Sequence, residues 1–277
     1  MNRRAALAAM LATAALPHLA RAESYPSGQI RLIVPTSPGG VTDTMARIAA
    51  HGLTENLKAN VIVDNRPGGN GSVGAIAVAH SPPDGLNLLV SSDATITANP
   101  SLSSKLGYNA KEFTPIIVLC RGTPVLVVNS KVPAKSVKEL IALAKDKPGS
   151  LNYGSYGIGT YAHLSMEDFK QRTGTDIVHI PYRGAAPAAQ ALLAGDVNML
   201  LLNYSSIADH EKDGKVRILA AAGDKRAVVR PELPTIAEAA LPGFVYDGWF
   251  GVFAPAKTPR TIINSLAKEI ARIMALA

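Results

Sequence analysis

From residue 30 onward the chain alternates short runs rich in β-branched residues with longer stretches of helical apolar spacing, a pattern that few architectures accept. The runs "IRLIV", "NVIVDN", "LNLLVSS", "TPIIVLC", "PVLVVN", "LNYGS", "IVHIPY", "VNMLLLN", "VRILAAA" and "FGVFAP" are bounded by Pro, Gly and Asn and read as strands. Between many of them lie "TMARIAAHGL", "SVKELIALAKD", "AHLSMEDFKQRTG" and "PAAQALLAG", which read as amphipathic helices. The alternation predicts an α/β fold with mostly parallel strands. Ten strands would make one continuous sheet unusually wide, so two sheets are expected. In "TPIIVLCRGTPVLVVN" two β runs follow each other with no helix between, which marks a first crossing between lobes; "YDGWFGVFAP" marks a second. Lobe one is then expected over residues 23–124 and 247–277, lobe two over 125–246, with a cleft between them at two hinge crossings.

The first residues belong to another pattern. "MNRRAALAAMLATAALPHLARAES" has Arg3 and Arg4, an apolar stretch from Ala5 to Leu16, and Ala20-Arg21-Ala22, which predicts a signal peptide over residues 1–22 cleaved after Ala22. The apolar stretch falls short of the roughly 20 residues that span a bilayer. A soluble, exported protein is expected, in the periplasm.

Without the leader, 25 Lys and Arg stand against 21 Asp and Glu, a formal +4 that favours anionic ligands only weakly. The basic residues are scattered and lack aromatic interleaving, which argues against nucleic acid. A single cysteine, Cys120, excludes an internal disulfide and reads as a small buried apolar residue in "IIVLC".

"PTSPGGVTD", residues 35–43, joins the first strand to the first helix. Gly39 and Gly40 let backbone N–H groups approach a ligand, and at a helix start such groups suit an anion. The absence of a GK[ST] ending argues against an ATP-type loop, and the absence of GxGxxG against a dinucleotide site. The bland alternative is a tight turn with Thr42 or Asp43 as N-cap. "LNYGSYGIGTYAHLSMEDF" repeats the logic with Ser155, Gly157, Gly159 and Thr160, so two glycine turns, one per lobe, could grip a small anion from opposite sides.

With these stretches in place the chain resembles the Bug family, the extracytoplasmic solute-binding receptors of tripartite tricarboxylate transporters. The resemblance runs through "YPSGQIRLIVPTSPGGVTDTMAR", "VDNRPGGNGSVGAIAVAHSPPDG", "LNYGSYGIGTYAHLSMEDF", "IPYRGAAPAAQALLAGDVNML", "GKVRILAAAGDKRAVVRPELPTIAEAALPGF" and "WFGVFAPAKTP". It implies a two-lobed periplasmic binding protein fold, type II-like, that closes on a small carboxylate, needs no cofactor, acts as a monomer and delivers its ligand to integral membrane transporter subunits. It places Gly39, Gly40, Asp43, Ser91, Ser92 and Thr95 on the cleft from lobe one, and Ser155, Gly157, Gly159, Thr160, Tyr182, Arg183, Gly184 and Asn203 from lobe two. Asp43 repels a bare carboxylate and is expected to bond backbone N–H groups or bridging waters. Arg183 either pairs with the ligand or locks its loop through a salt bridge.

"NRPGGNGSVGAIAVAHSPPDG" carries the family signature most strongly, and its Gly68, Gly69, Gly71 and Gly74 are expected to shape a turn rather than touch ligand. The chain stops at "LAKEIARIMALA" where the family usually continues, so the stripe Ile262, Ile263, Leu266, Ile270, Ile273 and Met274 is expected to lack part of its partner surface.

Two other functional classes fit parts of the chain. "YGSYG" approaches the GxSxG of serine hydrolases at Ser155, with His163, His179 or His210 as possible bases. A periplasmic sensor on the same fold would differ only in its partner. No HxH, HxxxH or CxxC spacing points to a metal. Citrate, a dicarboxylate, an amino acid and an aromatic acid all remain compatible ligands.

Overall fold

The computed structural model describes residues 25–276 apart from 104 and 123; the expected signal peptide and its cleavage site lie outside the described residues. Ten strands form two five-stranded sheets. The first has the order β2-β1-β3-β10-β4, from β1 (Ile30–Val34), β2 (Val61–Asn65), β3 (Asn87–Ser92), β4 (Phe113–Gly122) and β10 (Gly248–Pro255). The second has the order β7-β6-β8-β5-β9, from β5 (Pro124–Asn129), β6 (Leu151–Ser155), β7 (Ile177–Pro181), β8 (Met199–Asn203) and β9 (Val216–Ala221).

The expectation of mostly parallel sheets is corrected, because each sheet is mixed. β1 lies parallel to β2 and β3, and β6 parallel to β7 and β8, whereas β10 and β5 are antiparallel to both of their neighbours. Parallel neighbours need a crossover connection, usually a helix. β5 comes straight from β4 in the other sheet with only residue 123 between them. Each sheet thus receives one strand across the lobe boundary, and the two lobes share one topology.

Nine helices follow among the described residues: α1 (Val41–Leu57), α2 (Ser72–Ala79), α3 (Asn99–Leu102), α4 (Val137–Asp146), α5 (Tyr161–Thr173), α6 (Ala185–Ala194), α7 (Ala208–Lys212), α8 (Ile236–Ala239) and α9 (Arg260–Met274). Side chains alternate across the sheets as the two-residue strand period requires. Leu32, Val34, Leu88 and Val90 pack under α1 and α9, while Ile33 and Leu89 face α2 with Tyr108, Phe113 and Phe253. In the second lobe Leu126, Tyr153 and Leu201 meet α4 and α5, and Val125, Val127 and Leu200 meet α6. Burial on both faces explains why these strands read as continuous apolar runs.

The helix α9 stripe has its partner, which corrects the expectation drawn from the chain's last residues. Ile263, Leu266, Ile270 and Ile273 are buried against α1 and the first sheet, and Ile262 and Met274 pack at the margin of the same cluster. The approach is close: a Cβ at Gly52 of α1 would stand 2.6 Å from Ile273 Cγ1. Cys120 is half-buried on the edge strand β4 rather than in the core, and burial pushes its thiol pKa up.

Candidate functional site

Four helices begin at the walls of a single cavity of about 370 Å³ between the lobes. Gly40, Val41 and Thr42 at the start of α1, Gly71 before α2, Thr160 and Tyr161 at the start of α5, and Arg183 and Ala185 around the start of α6 all line it. The N-caps of these helices are Gly40, Gly71, Thr160 and Gly184, and none supplies a side-chain hydrogen bond to its helix. The first N–H groups of an α-helix have no intrahelical acceptor and carry partial positive charge. Convergence of four such ends produces a field that favours an anion. Among the described residues lining the cavity, Arg183 is the one basic side chain and none is acidic.

Of the residues expected at the cleft, Gly40, Ser92, Thr95, Gly157, Thr160, Tyr182, Arg183 and Asn203 line this cavity. Gly39, Asp43, Ser91, Ser155, Gly159 and Gly184 are not among its lining residues, and most of them brace residues that are. Asp43 is buried and its Oδ2 accepts the Gly39 N–H at 3.0 Å, while Arg47 and Asn65 donate to the same carboxylate. Burial alone would raise the Asp43 pKa, but those donors outweigh it and hold the group below its usual range. Ser91 Oγ donates to Thr95 Oγ1 at 2.8 Å. Gly159 N–H donates to His163 Nδ1 at 3.1 Å, and Ser155 Oγ accepts the Gly157 N–H at 3.3 Å.

The "GGNG" turn, expected to be structural only, lines the cavity through Gly68, Gly69, Asn70 and Gly71, which corrects that reading. It is also structural. Gly71 takes a φ of +90°, and a Cβ there would stand 2.7 Å from Thr95 Oγ1. Asn70 Nδ2 donates to Asn99 Oδ1 at 2.6 Å, Asn99 Nδ2 reaches Tyr108 OH, and that hydroxyl donates to the Thr95 carbonyl at 2.6 Å, so the turn and the π-helical turn Ala94–Ala98 form one network. The signal for this loop was present, since "GGNG" precedes a helix just as "PGG" does. Tyr156, Tyr161 and Phe250 also line the cavity, and nothing in their spacing marked them.

The lobes touch on both rims of the cavity. On one, Ser37 Oγ donates to the Arg183 carbonyl at 2.9 Å. On the other, Asn70 lies against Gly157, where a Cβ would come within 2.8 Å of Asn70 Oδ1; Gly157 holds a φ of +141°. Among the described residues the Arg183 guanidinium forms no salt bridge, so the loop is held through its backbone and not through an ion pair.

Ser155 does meet a histidine, at 2.7 Å from His179 Nε2. Ser155 is fully buried and does not line the cavity. The His179 ring stacks on Tyr153 at 4.7 Å and meets His163 at 4.4 Å with the rings tilted by 31°. Burial and then the neighbouring His163 push the His179 pKa down to about 4, which suits a neutral brace better than a general base near neutral pH.

Two mixed sheets of one topology, two crossings and a cleft walled by helix N-termini form the two-lobed fold of periplasmic solute-binding proteins. Within it, the chain belongs to the tripartite tricarboxylate transporter receptor family, whose model matches residues 45–276. It is 38% identical to the protein BugT of Bordetella pertussis, over 96% of this chain and 82% of that one. Among solved structures it is similar to Rpa4515 of R. palustris with adipate, with a TM-score of 0.86, 37% identity and coverage of 89% and 83% of the two chains. MatC of Rhodopseudomonas palustris, with bound malate, superposes with a TM-score of 0.85 at 31% identity, covering 90% and 85%.

Proposed function

We propose that the mature protein captures a small carboxylate in the periplasm and delivers it unaltered to the membrane subunits of a tripartite tricarboxylate transporter. One observation carries the reading: four helix N-termini without side-chain caps, together with Arg183, line one cavity that has no acidic side chain among its described lining residues. The neighbours with adipate and malate support a carboxylate as cargo. The protein acts without cofactor and as a monomer, after removal of residues 1–22, with lobes over residues 23–124 plus 247–277 and 125–246. Gly40, Ser92, Thr95, Gly157, Thr160, Tyr182, Arg183 and Asn203 contact the ligand, and Gly39, Asp43, Ser91, Ser155, Gly159 and Gly184 hold those contacts in place. Among the described residues no helix is long and apolar enough to cross a membrane.

A thermal-shift screen of small carboxylates including adipate and malate tests the binding step. A ligand at 100 times its Kd adds about 2.7 kcal/mol, which at this chain length raises Tm by roughly 5 to 10 °C. Recovery of a chemically altered ligand overturns the reading, as does a screen in which no carboxylate shifts the melt. Loss of uptake of the bound carboxylate in a deletion strain tests the delivery step; intact uptake with a lost transcriptional response would assign a sensor instead.

A further inference from the structure

The turn that carries Gly157 and Thr160 to the cavity, residues 155–160, is held from behind by two histidines. Gly159 N–H donates to His163 Nδ1 at 3.1 Å, one turn further along α5, and His179 Nε2 of β7 lies 2.7 Å from Ser155 Oγ. Ser155 Oγ also accepts the Gly157 N–H, and Thr160 Oγ1 donates to the Gly157 carbonyl at 2.7 Å. Gly157 and Gly159 hold φ values of +141° and +83°, which glycine enters freely but no regular element stabilises. These few bonds therefore fix the turn. It also meets lobe one: a Cβ at Gly159 would stand 2.5 Å from Leu102 Cδ1 and 3.1 Å from Asn70 Nδ2.

The two histidines respond differently to a proton. To accept the Gly159 N–H, His163 must keep a lone pair on Nδ1 and its proton on Nε2; a proton added to Nδ1 sets donor against donor. His179 can carry a proton on Nε2 and donate it to Ser155 Oγ, so its bond survives protonation. The ring centroids lie 4.4 Å apart, and like charges that close oppose each other, so the pair takes a first proton more easily than a second. The other groups bearing on His163 are Glu167 and Lys170 of α5, which pair at 2.8 Å, and Tyr153 of β6, whose hydroxyl donates to Glu167 Oε1 at 2.6 Å. Across the lobe boundary the turn meets Asn70, Asn99 and Leu102, none of which titrates. Burial is the main influence holding His163 below the ordinary histidine range, with Glu167 opposing it and Lys170 adding to it. Both rings are partly exposed, so protons reach them.

We propose that His163 is a positioning residue of the carboxylate site and couples capture to pH: with Nδ1 free it holds the turn that presents Gly157 and Thr160, and a proton on Nδ1 releases that turn and the ligand with it. The inference rests on the carboxylate-capture reading and adds regulation to it. A ligand that needs the turn in place binds the unprotonated form. Affinity is therefore full at neutral pH and falls as pH drops through the His163 pKa of the free protein, by up to about tenfold per pH unit for one linked proton.

Calorimetric titration of the full mature protein with adipate and with malate, at pH 7.5 and pH 5, tests this in the wild type, His163→Phe and His163→Asn. Phe keeps a ring and removes the acceptor, whereas Asn offers an amide oxygen near the place of Nδ1 and does not titrate. At pH 7.5, His163→Phe should bind roughly tenfold more weakly than the wild type, and His163→Asn should recover most of that loss. Between pH 7.5 and pH 5 the wild type should lose at least about threefold more affinity than His163→Asn, the ligands' own titration being common to both. A histidine that only supports the fold would leave the two pH profiles parallel. In the ligand-free wild type, the Gly159 amide resonance should move with the same midpoint as the His163 ring nitrogens. Parallel pH profiles, or unaltered affinity in His163→Phe, overturn the inference and leave the carboxylate reading standing. If either variant fails to fold, the Gly159 amide decides, and an amide that does not follow His163 overturns the inference. Binding of neither acid at pH 7.5 removes the carboxylate reading and this inference with it.

Discussion

The helices at the cleft and the helices at the periphery of lobe two meet the same problem and solve it differently. Helix α4 begins at Ser136, whose hydroxyl accepts the Glu139 N–H, and α8 begins at Thr235 in a reciprocal capping box with Glu238. Such caps satisfy N–H groups that would otherwise lack a partner. Helices α1, α2, α5 and α6 have no such cap, and their first turns face the cavity. Helices α7 and α9, away from the cavity, also lack a side-chain cap, so the contrast is between the two capped helices α4 and α8 and the four that begin at the cavity. Even Asp43, the one acidic residue in the first turn of α1, reaches back to Gly39 and stays out of the cavity.

The sharpest way to break this contrast is to block one of the open helix starts. Gly40→Val is expected to weaken carboxylate binding by 100-fold or more while Tm moves by only a few degrees. A single Cβ at Gly40 would sit 3.7 Å from Ala185 Cβ, so the two further methyls project toward the opposite lobe and the α1 N–H groups. Calorimetry on the folded variant decides; unchanged affinity would mean that Gly40 serves the turn alone. Next in size, Arg183→Gln removes the one cation among the described lining residues. A charge-assisted hydrogen bond contributes about 1.5 to 3 kcal/mol, so a loss of roughly 10- to 100-fold in affinity is expected. Because Arg183 makes no ion pair among the described residues, Tm without ligand should stay within a degree or two. A large fall in Tm would reassign it to loop stability.

The peripheral caps test the other side. Ser136→Ala and Thr235→Ala should each lower stability by about 1 kcal/mol and leave Kd unaltered, read by urea unfolding and calorimetry on the same samples. A change in Kd would show that the two sets of helices are coupled.

The smallest effect concerns the braces behind the lobe-two turn. His163 and His179 both have pKa values below the usual histidine range, mainly through burial, with His179 at about 4. A folded state that resists protonation loses stability as pH falls from about 6.5 toward the folded value, and His163 must stay unprotonated at Nδ1 to accept the Gly159 N–H. Asp93, whose pKa is raised, works in the opposite direction over the same interval. Comparing Tm from pH 7 to pH 4.5 in the wild type and His179→Gln isolates the histidine contribution; the variant should show the shallower fall.

Much of the fold was legible because strands and helices announce themselves locally. "IRLIV" and "PVLVVN" are β1 and β5 residue for residue, and the crossing after β4 shows in two β runs with no helix between. Strand direction was not legible, since the antiparallel placement of β5 and β10 is decided by which lobe each strand comes from. The partner of the α9 stripe was equally invisible, because it is Gly52 and its neighbours on α1, more than 200 residues earlier in the chain. At the site, glycine turns before helices announced Gly40, Gly157 and Thr160. Tyr161 reads as an ordinary first-turn aromatic, and Phe250 as an ordinary strand residue. Their significance depends on atoms from the other lobe, and no local spacing encodes that.

The contacts on the two rims carry a consequence for time. The lobes meet at Ser37–Arg183 and at Asn70–Gly157, so parting of these contacts is expected to govern how fast a ligand enters and leaves the cavity. Affinity and dwell time can then be tuned separately. Ser37→Ala removes one exposed hydrogen bond and no cavity-lining group, and stopped-flow displacement should find faster release and faster capture together, with the equilibrium constant moving less than either rate.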